Sequence, residues 1–361
     1  VRIGIVGLGR LGFIHATNIS SIIKNAELSA ACSLNKEELS RAKKELNVAH
    51  CFTDFKEMIN ASDLNAIVIV SPSAHHCEQA IYALQKGLHV FCEKPLGITL
   101  QECLAVEEAV AANANQVFML GFMRRYDPSY MYAKQKIDEG VLGKPILFRS
   151  YSVDPESEID GALKYVEHSA GQFLDMAIHD IDLARWMLEA EPKSIFAIGG
   201  CYAHEEFAAY GDGDNVSALM QFDNESMAFF LAGRTAPHGY NVETEIIGTK
   251  ATLRIGSVPR KNMVEILDSQ GVRQECSQSF QERFEVAFVN EMQEFVDCIT
   301  ENKKPEIKTF EKFIDLLQKL KEKDLNSVQM EGVESYLHYL ELEKIPSFSN
   351  EMFKLKLVKF K

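Results

Sequence analysis

Short apolar runs alternate with longer segments of helical periodicity through the first third of the chain. The runs predict strands at Ile3–Val6, Leu28–Cys32, Ala66–Val70, His89–Cys92 and Val117–Gly121. The segments between them predict helices from about Leu11 and over Lys36–Leu46, His75–Leu84 and Leu100–Ala112. Repeated strand–helix units of this spacing require right-handed crossovers onto a parallel sheet with helices on both faces. We therefore expect an α/β protein whose residues 1–122 form a doubly wound Rossmann domain.

A glycine-rich turn follows the first predicted strand directly. It consists of Gly7, Leu8, Gly9, Arg10, Leu11 and Gly12, which is G-x-G-x-x-G at a strand-to-helix junction. Missing side chains at such a turn let a pyrophosphate approach the backbone and the N-terminus of the next helix. The turn predicts a bound dinucleotide, with purely turn-forming glycines as the alternative.

The end of the second strand bears on which dinucleotide is bound. NAD-binding domains usually carry an acidic residue there for the adenosine ribose, whereas this chain reads Ala31-Cys32-Ser33-Leu34-Asn35-Lys36. The Ser33 hydroxyl, with Arg10 and Lys36 nearby, would accommodate a 2′-phosphate. The alternative is that Arg10 and Lys36 are solvated charges at helix ends. Both NAD and NADP therefore remain candidate cofactors.

From residue 123 onward the pattern changes to strands with alternating polarity. They are predicted at Pro145–Tyr151, Ser194–Cys201, Val216–Phe222, Met227–Ala232, Thr244–Ile247, Ala251–Ile255, Val264–Leu267 and Val272–Glu275. We expect a C-terminal α+β domain over 123–307 with a large, open, mainly antiparallel sheet, one face of which packs on helices at 170–188 and 283–300. Residues 308–361 are expected to form a helical tail with amphipathic segments at 310–324 and 333–342 and a basic end.

Composition and charge narrow the possible functions. The 361 residues carry a formal charge of −14, which disfavours nucleic acid and anionic lipid as partners. No stretch approaches the ~20 apolar residues of a membrane span. The eight cysteines are scattered without a C-x-x-C pair, as in a reduced cytoplasmic protein. We expect a cytoplasmic protein with a small-molecule substrate.

Asp175 and His179 are the most promising catalytic pair. They stand four residues apart on a segment with helical apolar spacing, so both side chains are expected on one helix face, which Asp182 continues. Imidazole titrates near neutral pH, which suits a general base, and we assign this role to His179. Asp175, His179, Asp180 and Asp182 could also ligate a metal. Because there is no second histidine at ligand spacing, we expect no metal.

Several longer motifs resemble those of a known family. They are Cys92-Glu93-Lys94-Pro95-Leu96, the run from Gly121 to Pro128, the run from His168 to Asp182, and Gly239-Tyr240 followed by Glu245–Thr249. Together with the glycine turn and His15, they resemble the Gfo/Idh/MocA oxidoreductases, and within that family the bacterial scyllo- and myo-inositol dehydrogenases. The resemblance covers roughly residues 1–307.

The resemblance implies roles for particular side chains. Lys94, Asp175 and His179 would act together on the substrate. The polyol pocket would be lined by Met123, Arg124, Asp182 and Tyr240, and the cofactor by Ser71, Pro72, His76, Glu93 and Lys94. Family members also use the open face of the second-domain sheet to form dimers or tetramers, so a homo-oligomer is expected.

The expected activity is NAD(P)-dependent hydride transfer from a secondary alcohol of a cyclic polyol, such as inositol, or of a sugar. Myo-inositol enzymes carry a His-Arg-Asn type segment where this chain reads Tyr151-Ser152-Val153-Asp154-Pro155, which leaves the isomer open. The alternatives are an aldose or dihydrodiol dehydrogenase on the same fold, or a non-catalytic dinucleotide-binding regulator.

Overall fold

The computed structural model describes residues 1–169, 171–256, 260–305 and 356–359. The chain divides into two compact units. The first comprises Val1–Gln135, a short piece at Glu167 and the segment that begins at Ser277. The second comprises Lys136–Val166, Gly171–Cys276 and the described C-terminal residues Lys356–Lys359.

The first unit contains a parallel sheet of six strands. These are Arg2–Val6 (β1), Glu27–Cys32 (β2), His50–Phe52 (β3), Ala66–Ile69 (β4), His89–Glu93 (β5) and Phe118–Gly121 (β6). Their order is β3-β2-β1-β4-β5-β6, and every neighbouring pair is parallel. The order reverses between β1 and β4, which is where open α/β sheets bind their ligands, at the carboxyl ends of the strands.

The predicted doubly wound fold is confirmed. The helices are Arg10–Ser21 (α1), Lys36–Leu46 (α2), Phe55–Ala61 (α3), His76–Gln85 (α4), Leu100–Ala112 (α5) and Pro128–Asp138 (α6). Strand β3 was not predicted because three residues are too short for a periodic signal. Side-chain caps begin several helices: Asn35 accepts from the Glu37 amide at α2, and Thr99 forms a reciprocal capping box with Glu102 at α5.

The second unit contains a mixed sheet of seven strands and a separate two-stranded ribbon. In the described part of the chain its strands are Pro145–Pro155 (β7), Pro192–Gly200 (β8), Asn215–Phe222 (β9), Met227–Ala236 (β10), Asn241–Gly248 (β11), Thr252–Ile255 (β12), Arg260–Asp268 (β13), Gly271–Cys276 (β14) and Lys356–Lys359 (β15). The large sheet has the order β12-β11-β7-β10-β9-β8-β15, and β13 pairs with β14 in the ribbon. The pair β7–β10 is parallel and the other pairs are antiparallel, so the sheet is mainly antiparallel as predicted.

One face of the large sheet is buried and the other is accessible. In β9 the residues Val216, Ala218, Met220 and Phe222 point inward, whereas Leu219 between them is 53% exposed. The unit's helices are Ile159–Tyr165 (α7) and Ile178–Leu188 (α8), and α8 packs on β7 and β10. The alternation follows from the period of two along a strand.

The final described helix belongs to the first unit. Phe280–Thr300 (α9) packs Met292, Phe295 and Val296 into the core that contains Ile3 and Phe91. The prediction that this helix covers the second-domain sheet was therefore wrong. Its apolar face is complementary to the first core, and periodicity alone does not tell which core a helix joins.

The tail predicted over 308–361 falls largely outside the described residues, including both of its expected amphipathic segments. Its described part, β15, forms a strand that pairs antiparallel with β8, where a helical tail was predicted. No helix among the described residues is both long enough and apolar enough to span a bilayer.

Candidate active site

The glycine turn between β1 and α1 is shaped by close backbone packing. Gly7 has φ +89°, and a Cβ there would lie 2.4 Å from the Val70 carbonyl oxygen. A Cβ at Gly12 would lie 2.0 Å from the Gly7 carbonyl oxygen. A Cβ at Gly9, in contrast, would meet no protein atom within 4 Å. Gly9 is thus the glycine whose open side can admit a ligand, as a pyrophosphate requires.

The N-terminus of α1 is available to an anion. Gly9 occupies the N-cap position without a capping side chain, and the first turn holds no acidic residue. Its amide groups and the helix dipole therefore favour a phosphate. The Arg10 guanidinium carbon lies 5.1 Å from the Phe280 ring centroid, a contact within the same unit.

The end of β2 contains a carboxylate that the sequence analysis did not find. The Ser33 hydroxyl donates to Glu38 Oε2 at 2.6 Å, and the Gly7 amide donates to the Cys32 carbonyl at 2.9 Å. Glu38 lies on the first turn of α2, which brings it back to the strand end. The expectation that no acid stands at this position is therefore corrected, because only local strand positions were considered.

His76 connects two loops at the carboxyl ends of β4 and β5. Its ring nitrogens lie 2.7 Å from the Ser71 carbonyl oxygen and 2.8 Å from that of Pro95. Burial lowers the pKa of His76, although these backbone contacts oppose the shift. The imidazole thus holds the segment of Ser71 and Pro72 beside the Lys94–Pro95 turn, whose peptide bond is cis.

A buried cluster lies directly behind Lys94. Glu93 Oε1 accepts from His15 Nε2 at 2.8 Å, and Glu93 Oε2 accepts from the Lys94 backbone amide at 3.2 Å. Glu291 of α9 completes the cluster, with one ligand atom from each of His15, Glu93 and Glu291 within 4.8 Å of the others. The exposed fractions of these residues are 0%, 5% and 0%.

The environment of Glu291 favours the protonated form of its carboxyl group. Burial raises the pKa of Glu291 well above its ordinary value, and the negative charge of Glu93 raises it further. Neither Glu291 oxygen has a hydrogen-bond partner. Two buried carboxylates so close together cannot both be ionised at moderate cost. His15, Glu93 and Glu291 also offer a set of donor atoms that could hold a metal ion.

Met123 and Arg124 lie on a short helical turn after β6 and are both buried. The Arg124 guanidinium carbon is 5.4 Å from the Phe284 ring centroid. The next helix is anchored by Asp127, which accepts from Arg283 at 2.7 Å. The first unit therefore holds Arg124 firmly against an aromatic ring.

Asp175 and His179 differ in local geometry from the prediction. Asp175 lies in a π-helical turn, Phe173–Ala177, and His179 lies on the first turn of α8. A single regular α-helix over 170–188 was predicted, whereas the structure has a π-helical turn that leads into α8. Such insertions are frequent at functional sites. That Asp175 and His179 share one face stays a prediction.

A buried arginine accompanies Asp175. The Arg234 guanidinium donates to Asp175 Oδ2 from Nη2 at 2.9 Å, and its Nη1 lies 3.7 Å from Asp154 Oδ2. Arg234 is 4% exposed, and its guanidinium carbon stands 5.5 Å from the Phe207 ring centroid. Three elements of the second unit, β7, β10 and the π turn, thus meet at one guanidinium.

The remaining acidic residues of α8 have separate environments. Asp180 accepts hydrogen bonds from the hydroxyls of Ser150 and Ser152 of β7, the latter at 2.7 Å. These bonds tie α8 to the sheet and give Asp180 a structural role. Asp182 and Tyr240 are both buried. Among the described residues, the group whose donor atoms lie close enough to hold a metal ion is the cluster of His15, Glu93 and Glu291. Asp175, His179, Asp180 and Asp182 do not form such a group.

Arg234, Glu38 and Glu291 were missed by the sequence analysis, although two of them leave a signal. Arg234 continues the inward-facing positions of β10 after Phe230 and Ala232, so it is a charge on a buried strand face. Glu291 lies among the buried positions of α9, between Phe288 and Phe295. A charged residue on an otherwise apolar face indicates a polar partner inside the core.

Fold and site together define a nicotinamide-dinucleotide oxidoreductase. Residues 1–122 match the model of an oxidoreductase family with an NAD-binding Rossmann fold, and residues 130–254 match the GFO/IDH/MocA C-terminal domain. The chain belongs to the Gfo/Idh/MocA oxidoreductase family, and its first domain is an NAD-binding domain.

Three relatives are especially similar. The chain is 33% identical to the scyllo-inositol 2-dehydrogenase (NAD(+)) of Bacillus subtilis, over 88% of this chain and 91% of that protein. The structure of scyllo-inositol dehydrogenase from Lactobacillus casei with bound NAD(H) and scyllo-inositol has TM-score 0.84 and 46% identity, covering 88% of this chain and 94% of the other. Myo-inositol 2-dehydrogenase from Lactobacillus plantarum has TM-score 0.86 and 40% identity, covering 89% and 95%.

The protonated state of Glu291 predicts a pH-dependent effect of Glu291→Gln. Glu291 keeps its proton in the folded state and loses it in the unfolded state above about pH 4.3, so folding takes up a proton and stability falls as the pH rises. The neutral glutamine removes this dependence. Relative to the unmodified protein, the variant should gain up to about 1.4 kcal/mol per pH unit above that value.

Urea unfolding of both proteins at pH 5 and pH 8 measures this difference. Glu285→Gln, an exposed change on the same helix, is the control and should show no such trend. The gain in unfolding free energy of Glu291→Gln over the unmodified protein should be larger at pH 8 than at pH 5. A gain that is equal or smaller at pH 8 would contradict a protonated Glu291.

Proposed function

We propose that this protein is an NAD-dependent inositol dehydrogenase that oxidises one secondary hydroxyl of a cyclic polyol, with scyllo-inositol the preferred isomer. The observation that carries the proposal is the 46% identity to a dehydrogenase whose structure holds NAD(H) and scyllo-inositol. The segment Tyr151–Pro155, which departs from the myo-inositol pattern, supports the choice of isomer.

The residues present fit a dinucleotide. The turn from Gly7 to Gly12 and the uncapped start of α1 would hold the pyrophosphate. Ser33 and Glu38 would accept hydrogen bonds from the hydroxyls of the adenosine ribose. The negative charge of the Glu38 carboxylate disfavours a 2′-phosphate at the same position. We therefore propose NAD over NADP, with Ser71, Pro72, His76 and Glu93 shaping the nicotinamide side. Bound NAD would supply the acceptor for the hydride of the substrate carbon.

Lys94, Asp175 and His179 are proposed to carry the proton chemistry. The Lys94 ammonium would donate to the reacting hydroxyl and lower its proton affinity. An imidazole nitrogen of His179 would take the hydroxyl proton, and Asp175 would accept a hydrogen bond that orients the substrate. Removing this proton makes the departure of hydride from the same carbon favourable.

Substrate recognition is assigned to Met123, Arg124, Asp182 and Tyr240. Inositol isomers differ only in whether a hydroxyl is axial or equatorial, so their discrimination requires polar groups held in fixed positions. Burial of all four residues supports such a role. An aldose or dihydrodiol dehydrogenase is the second candidate, and rates across inositols and aldoses separate the two.

We further propose a homo-oligomer that uses the accessible face of the second-unit sheet. Apolar side chains with substantial exposure lie on this face, including Ile198 at 43%, Leu219 at 53% and Met227 at 46%. A patch of this kind across adjacent strands is typical of an interface. All eight cysteines are free thiols, which supports a cytoplasmic location.

His179→Ala and Lys94→Ala should each lower kcat for scyllo-inositol by at least about 100-fold, because each removes a group that handles the proton in the transition state. NADH affinity, measured by fluorescence titration, should change little. His50→Ala and Lys86→Ala are exposed matched controls and should retain full activity. Wild-type-like kcat in either active-site variant would refute that residue's role.

Glu38→Gln should shift the cofactor preference towards NADP. Loss of a negative charge near the ribose removes repulsion of a 2′-phosphate, and the ratio of kcat/KM for NADP to that for NAD should rise about tenfold or more. Glu37→Gln neutralises the exposed neighbouring acid on the same helical turn and serves as control. An unchanged ratio in Glu38→Gln, or an equal rise in the control, would argue against contact of Glu38 with the cofactor.

Leu219→Glu should dissociate the oligomer, because it introduces charges into an apolar interface. Light scattering after size-exclusion chromatography should report a lower mass than for the unmodified protein. Val286→Glu, at a 55% exposed apolar position on α9, should leave the mass unchanged. A monomeric unmodified protein, or an intact oligomer in Leu219→Glu, would eliminate this interface.

A further inference from the structure

We propose that Arg234 is a positioning residue that fixes the Asp175 carboxylate for substrate binding. This inference rests on the proposed role of Asp175 and extends it to its hydrogen-bond partner on β10. Asp175 Oδ2 accepts from Arg234 at 2.9 Å, and Asp154 Oδ2 lies 3.7 Å from the same guanidinium.

The location of Asp175 explains why it needs such support. It stands in a π-helical turn, where the backbone hydrogen bonding of a regular α-helix is interrupted. Its side chain is 20% exposed, whereas the side chain of its partner Arg234 is 5% exposed. A charge-assisted bond to a buried guanidinium limits the rotamers that the carboxylate can adopt.

Arg234 is itself held rigidly. It belongs to β10, whose neighbours are β7 and β9, and its backbone amide donates to the Asp214 carbonyl at 2.9 Å. Its guanidinium faces the Phe207 ring at 5.5 Å and is almost wholly excluded from solvent. Because the planar guanidinium is fixed relative to the sheet, it holds the Asp175 carboxylate that is bonded to it at a fixed position.

The arrangement is costly if it serves stability alone. Ion pairs in the interior lose hydration and are often replaceable by apolar groups without loss of stability. Arg234 also leaves its Nε without a hydrogen-bond partner. Asp154 lies in the segment that departs from the myo-inositol pattern, so the guanidinium joins a proposed catalytic residue to a proposed selectivity segment.

A double-mutant cycle tests the proposal, with kcat/KM for scyllo-inositol as the measured quantity and single-turnover rates where turnover is slow. Arg234→Met should lower kcat/KM by at least about tenfold in the unmodified protein and by less than about threefold in Asp175→Asn. Arg234→Lys, which keeps the charge but not the fork, should recover part of the loss.

The control is Arg185→Met. Arg185 forms a partly buried pair with Glu191 at 2.7 Å in the same unit and should affect thermal stability without changing kcat/KM. NADH titration and melting temperatures identify variants that fold and bind cofactor. If Arg234→Met fails to fold, Arg234→Lys takes its place in the cycle. The effect of Arg234→Lys on kcat/KM is then measured in the unmodified protein and in Asp175→Asn.

Equal losses in the two backgrounds, or no loss in the unmodified background, would overturn the positioning role. Failure of the proposed function has a different signature. In that case the unmodified protein shows no activity on a polyol, or Asp175→Asn is fully active, and the inference falls with the role of Asp175.

Discussion

Nucleotide binding in the first unit depends on the close approach of three backbone segments at the glycine turn. The Gly7 and Val70 carbonyls occupy the space that side chains at Gly12 and Gly7 would need. The Gly7 amide also bonds the end of β2 at Cys32. The same turn therefore positions the carboxyl ends of β1, β2 and β4 and leaves Gly9 open towards a ligand. A side chain at Gly7 or Gly12 would separate these strand ends and displace the residues that follow them.

Buried charge is placed next to proposed catalytic groups in both units. Glu93 and Glu291 lie behind Lys94, and Arg234 lies behind Asp175. Burial of a charge or of a second carboxyl opposes folding, so neither arrangement is explained by stability. Each instead makes a hydrogen bond to a proposed catalytic residue, since Glu93 accepts from the Lys94 backbone amide and Arg234 donates to Asp175. Rigid support of this kind is what precise positioning of a reacting hydroxyl requires.

The fold could largely be predicted from sequence because its elements are long and periodic, as in α2, α5 and β9. The glycine motif likewise indicated the cofactor from local pattern alone. Glu38 could not be found in this way, because its approach to Ser33 depends on how α2 begins. The π turn at Asp175 has no periodic signature over five residues. Arg234 was not predicted because the predicted strand ended at Ala232, whereas β10 continues past Arg234, whose side chain lies on the inward face.

Selectivity among inositol isomers is a geometric problem, since all carry the same functional groups. A flexible carboxylate would accept axial and equatorial hydroxyls about equally, because it can rotate to meet either. Asp175 on an interrupted helix would have this freedom without Arg234. The guanidinium donates to Asp175 and lies 3.7 Å from Asp154, so it links the end of β7 to the carboxylate on the π turn. On the proposed role of Asp175, substitutions in Tyr151–Pro155 would alter isomer preference through the position of this carboxylate, without direct contact with the substrate.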